Sequence, residues 1–356
     1  MRSQRSFYIL AGVTIAMVVA AAMSQWSSRE SASDLGPHLP GFESGIDQVN
    51  TVLIRTAEQS LRLERTGDGW VARDKNDYPA DGERIRQLVL TVSGLQRLEK
   101  KTSNPGRFAQ IGLTDVDEQD SEAVEVTFQG EDDARLASLL VGKTHEFVQS
   151  GRSRYFVRNA DETQSWLVEG ALPLVLDDIS EWLHKELLAP IEQSDIGTVK
   201  VTHADGEQVS IHRDSGDEET DFQLDGLSEG EVIDNQYSVN AIANTLQRLA
   251  LKGLHDPGST ETGEEVATVE ARTFNGVRVA VDFNKLEKDY VVELSAAYEP
   301  EQEQEVDEEG TNGEQLAAEL DKRWQDRKFV VSQYTVDAII PRRSDLVKQA
   351  DQTASQ

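Results

Sequence analysis

The chain has 356 residues, with 65 Asp and Glu against 35 Lys and Arg, a formal charge of -30 and no cysteine. That charge repels nucleic acid and bare anionic lipid, and the missing thiols rule out disulfides, thiolate metal sites and a cysteine-linked lipid anchor. So many carboxylates mean first of all a solvated, highly soluble exterior, because net charge speaks to association rather than to fold.

Residues 1–6 carry Arg2 and Arg5 ahead of a charge-free run of seventeen residues, Phe7 to Met23. At about 1.5 Å per residue this is near the lower limit for crossing a hydrocarbon core of roughly 30 Å. Basic residues on the short side keep the N-terminus in the cytoplasm. Residues 7–23 are therefore expected to form a single transmembrane anchor, with the bulk of the chain outside. Ala20-Ala21-Ala22 also suits a signal peptidase, so a cleaved signal is the alternative. The length of the run and Trp26, placed where an interfacial aromatic sits, favour retention. Residues 24–48, with Gly36-Pro37 and Pro40-Gly41, read as a linker.

The body then reads as two tandem α+β repeats of antiparallel sheet plus helix, 49–195 and 196–345. In the first, Thr51 to Ile54, Leu61 to Glu64 and Gly69 to Val71 alternate as strands. A helix follows from Asp81 to Leu98, with Asp81 as N-cap and Ile85, Leu88, Val89, Val92 and Leu95 on one face. Strands are expected at Ala123 to Phe128, Leu136 to Val141, Arg154 to Arg158 and Ser165 to Val168. A short amphipathic helix over Ile179 to Leu188 closes the repeat.

The second repeat opens with Val199 to Val201 and Gln208 to Ile211 around Asp205-Gly206, then Phe222 to Leu224. Its helix is expected from Asn235 to Leu251, with Val239, Ile242, Leu246 and Leu249 as the apolar stripe. Leu95-Gln96-Arg97-Leu98 recurs as Leu246-Gln247-Arg248-Leu249. Further strands fall at Ala267 to Phe274, Val277 to Phe283, Tyr290 to Leu294 and Phe329 to Gln333. Asn275-Gly276 between two of them predicts a type I′ hairpin turn. An acidic insertion, 299–315, carries seven carboxylates between Glu299 and Glu309 without the alternation of a calcium loop; it reads as a self-repelling loop. Residues 346–356 are expected to be a flexible tail.

Catalytic signatures are absent from the sequence. Gly142-Lys143-Thr144 resembles the end of a phosphate loop, but the required first glycine is Ala137. Of the six histidines, His203 and His212 alone are close, flanking one turn. Matching Val201 with Val209 and Val199 with Ile211 puts them on opposite faces, where they cannot share a metal ion. Asp177, Asp178, Glu181 and Asp225 are candidate acid–base carboxylates, yet such pairs arise by chance in so acidic a chain. Trp70, Trp166 and Trp182 sit in apolar patterns and are expected to pack in cores. No catalytic, cofactor-binding or metal-binding residue is assigned, and no cofactor is expected.

Several phrases in order carry a family likeness. They are Gly69-Trp70, Tyr78-Pro79-Ala80-Asp81, Ile111-Gly112-Leu113, Leu140-Val141-Gly142-Lys143, Tyr155-Phe156-Val157-Arg158, Gln164 to Val168 and Trp182-Leu183. Over residues 50–195 the chain resembles the bacterial domain-of-unknown-function family DUF4340, whose members typically have an N-terminal membrane helix and in some cases sit beside gliding-type ABC transporter components. The resemblance implies a bacterial inner-membrane protein with its bulk in the periplasm. It also implies a non-enzymatic accessory or scaffold role, with ABC transporter subunits or another envelope protein as partner. A periplasmic module holding a glycan, lipid or small molecule between the two repeats is the second expectation, and an enzyme acting on envelope polymers the third.

Overall fold

A computed structural model describes residues 35–350 apart from 68, 148–151, 174–175, 218–219, 257–258, 260, 262 and 301–312. The apolar run 7–23, linker residues 24–34, most of the acidic insertion and the end of the tail lie outside the described residues. No helix among the described residues is long and apolar enough to cross a membrane. The chain is mixed α+β, with antiparallel sheets and few helices, and divides into two units, Met1–Leu183 and His184–Gln356.

In the first unit, strands β1 (Gly36–Pro37), β2 (Thr51–Arg55), β3 (Ser60–Thr66), β4 (Gly69–Ala72) and β5 (Tyr78–Pro79) precede helix α1 (Gly82–Ser93). Then come β6 (Gln96–Lys100), the short α2 (Phe108–Ile111), β7 (Val124–Gln129), β8 (Arg135–Phe147), β9 (Ser153–Asn159) and β10 (Ser165–Gly170). They form one sheet in the order β1-β6-β10-β9-β8-β7-β2-β3-β4-β5. Strict alternation explains it: Val52, Ile54, Leu61, Leu63, Val126 and Phe128 are all buried on one face. Helix α1 buries Ile85, Leu88, Val89 and Val92, and the Asp81 carboxylate caps it by accepting the Arg84 amide at 2.9 Å.

Three expectations are corrected here. The first helix stops at Ser93, because Gly94 ends it and Gln96 to Lys100 pair with β10 instead. Linker residues join the body: Gly36 and Pro37 pair with Arg97 and Gln96, and buried Phe42 stacks 5.0 Å from Phe128. Ile179 to Trp182 is a single 3-10 turn, after which Leu183 bridges to Ala80 in place of a longer helix.

The second unit contains β11 (Ile196–His203), β12 (Gln208–His212), β13 (Gln223–Leu224), β14 (Glu231–Ile233) and helix α3 (Gln236–Gln247). Next are β15 (Leu251–Leu254), β16 (Glu264–Thr273), β17 (Val277–Leu286), β18 (Asp289–Tyr298), α4 (Gly313–Trp324), β19 (Phe329–Ser332), α5 (Gln333–Ile339) and β20 (Val347–Gln349). Its main sheet runs β13-β12-β11-β16-β17-β18-β19-β15, and β14 pairs separately with β20. The register of the first hairpin is Val199 with Ile211 and Val201 with Val209, as apolar matching requires. Residues 184–195 belong to this unit: the Leu187 amide donates to Leu249 O at 3.0 Å and the Leu251 amide to Lys185 O at 2.8 Å. The boundary therefore falls before His184, not after Asp195.

Helix α3 ends at Gln247, four residues short of its expected end, because Leu251 to Leu254 are taken by pairing with β19. The Asn275-Gly276 turn is not type I′. Gly276 alone takes a positive φ (83°), and its amide returns to Thr273 O at 3.1 Å, giving a three-residue loop that ends in a left-handed glycine. Helices α4 and α5 were not expected. In α4, Leu316, Ala317, Leu320 and Trp324 are buried, with the helix packed on β18. The tail begins later than expected, since Leu346 is buried and Val347 to Gln349 pair with Ile233 to Glu231.

Candidate functional site

The candidate carboxylates each hold a piece of local structure. Asp178 accepts the Ser180 amide at 2.9 Å and the Ser180 hydroxyl at 2.6 Å, capping its 3-10 turn. Glu181 accepts from Arg84 Nη1 at 2.6 Å and ties that turn to the first turn of α1. Asp225 meets His212 Nδ1 at 2.6 Å on an exposed edge. Asp177 accepts the Gln59 side-chain amide through its backbone carbonyl at 2.8 Å, beside an open, polar cleft of about 640 Å³ that Glu58 and Glu122 also line.

The histidines do not converge. His203 is buried, with Nε2 3.2 Å from Pro341 O, and His212 lies on the opposite face. His145 meets Phe156 edge-on at 5.4 Å. His38 is fully buried, and desolvation, reinforced by the neighbouring Arg97 charge, lowers its pKa from 6.5 to about 4. It is therefore a neutral core imidazole at pH 7. Among the described residues, no three His, Asp or Glu side chains gather as a metal site.

Gly142-Lys143-Thr144 lies inside strand β8, not in a turn that leads into a helix. A Cβ at Gly142 would stand 2.4 Å from Ile111 O and 2.8 Å from Gly112 O, so the glycine lets β8 pass under the end of α2. Lys143 Nζ pairs with Glu122 at 2.8 Å at the surface. The tryptophans also serve packing. Trp182 is fully buried and donates Nε1–H to Leu176 O at 3.2 Å. Trp166 is buried under the Arg97 guanidinium, 4.3 Å from the ring centre. Trp70 is half-buried.

Sequence reasoning missed the arginines that organise both units. Arg158 is buried against the Phe108 ring at 4.8 Å and donates to Glu162 O at 3.0 Å and to Asp115. Arg213 is buried against Phe222 at 4.7 Å and donates to Ile196 O at 2.8 Å and to Gln193 O. Burial pulls its pKa below the usual arginine value. Arg343 donates to Asp225 O at 3.1 Å, Gly226 O at 2.6 Å and Glu231 at 2.8 Å, while Arg342 reaches Asp205 at 2.6 Å. Glu231 is held below the usual carboxylate range by the Ser228 amide and then by Arg343. A cation directly after an alternating run, as in Ile211-His212-Arg213, was the available signal, but nothing local distinguishes it from a surface arginine.

This is an antiparallel α+β protein whose ionisable candidates serve the fold. Residues 70–269 match the family described as Domain of unknown function (DUF4340), and the chain belongs to that family. The match starts at Trp70 in β4 and ends in β16, so it reaches beyond the span in which the phrases were legible. Comparison with curated proteins and with solved structures finds no match.

Proposed function

We propose that this protein is a non-enzymatic, membrane-anchored accessory or scaffold of an extracytoplasmic complex, with an ABC-type transporter as the favoured partner. The observation that carries this reading is the use of the candidate groups. Asp178, Glu181, Asp225, His203 and Lys143 each have a structural partner, and the two clefts beside the Thr56 to Gln59 turn are open and polar. Residues 7–23 supply the tether, with Arg2 and Arg5 holding the N-terminus inside and the bulk of the chain in the periplasm.

The body is a duplicated unit. In support, the first sheet contains the order β6-β10-β9-β8-β7-β2-β3-β4, and the second runs β15-β19-β18-β17-β16-β11-β12-β13. Each strand holds the same place in chain order, with a capped twelve-residue helix before β6 and before β15. Duplication yields two similar bodies on one tether, a form suited to bridging partners rather than to concentrating chemistry.

The test is crosslinking of the full-length protein in its native membrane, followed by mild purification. Recovery of permease or ATPase subunits in near-equal amounts, lost when residues 49–345 are deleted, is the expected result. A protein that emerges alone overturns the proposal.

A further inference from the structure

We draw no further inference here: the strongest candidate, the face of the packed helices α3 and α5 of the second unit that carries the exposed Tyr237 and Tyr334, is an unpartnered helix face, and nothing in the structure shows what covers it.

Discussion

Gly142→Ala is a sharp test of whether Gly142-Lys143 is packing or a relic of ligand chemistry. The glycine has an ordinary backbone conformation, so the cost of alanine is one of space. Its new Cβ would meet Ile111 O at 2.4 Å and Gly112 O at 2.8 Å, both backbone atoms with no rotamer to yield. Relief requires β8 and the end of α2 to part, which disturbs the adjoining cluster of Phe108, Leu113, Val116, Ala123 and Leu140. Overpacking of this kind costs about 1–3 kcal/mol, and a rigid obstacle puts the value near the top of that range. Lys143→Ala, by contrast, removes an exposed pair with Glu122 and should cost less than about 1 kcal/mol. Urea unfolding followed by tryptophan fluorescence, to which Trp70, Trp166 and Trp182 of the first unit contribute, gives both numbers. A Gly142→Ala cost below that of Lys143→Ala would refute the packing argument.

Three further outcomes follow from the geometry. His38 has a folded-state pKa of about 4, below its ordinary 6.5, so the unfolded chain takes up its proton first as the pH falls. Stability from this group is complete above pH 6.5 and should decline by about 3 kcal/mol on acidification to about pH 4; His38→Leu should flatten that slope in urea titrations, and an unchanged slope would contradict the buried neutral imidazole. Glu64, Asp205, Glu207 and Glu231 are held below the usual carboxylate range, so their contributions disappear at lower pH and do not mimic this window. Arg213→Met keeps a stem against Phe222 but leaves Ile196 O and Gln193 O without their donor, and should cost about 1–3 kcal/mol in urea unfolding; stability at or above wild type would mean that guanidinium desolvation cancels those bonds. Trp324→Phe removes the 3.1 Å bond to Leu187 O and should destabilise the second unit by about 1–2 kcal/mol in differential scanning calorimetry, with the first unit's transition unmoved. A shift confined to the first unit's transition would place residues 184–195 in the wrong unit.

Local pattern revealed most strands and the buried faces of two helices, because alternation and helical spacing are set by each residue's own neighbours. It failed where a distant partner decided the outcome. Leu95 and Leu98 fit a continued helix, yet Gly94 ends α1 and β10 claims the following residues. The same competition ends α3 before β15. Helix α4 was overlooked although Leu316, Ala317, Leu320 and Trp324 form an apolar stripe, because the carboxylates before it dominated the reading. Helix α5 had a more specific signal. Gln236-Tyr237-Ser238-Val239-Asn240-Ala241-Ile242 recurs as Gln333-Tyr334-Thr335-Val336-Asp337-Ala338-Ile339. In both copies the Val and Ile are buried and the Tyr is exposed, at 77% and 88%, and the two helices pack together. A strand was expected to end at Gln333, where the recurrence marks the start of a helix.

The candidate chemistry was legible only as composition, and the structure explains why. In a chain with 65 acidic residues, a carboxylate near another carboxylate carries little information. Meaning lies in which acids meet a fixed donor. Asp81 and Asp178 meet backbone amides at the starts of helical turns, and Glu181 and Glu231 meet arginines from distant segments. The scarcer cations are therefore the more informative residues. Arg158 and Arg213 are buried against rings, and Arg342 with Arg343 binds the end of the chain to the turns at Asp205 and Asp225.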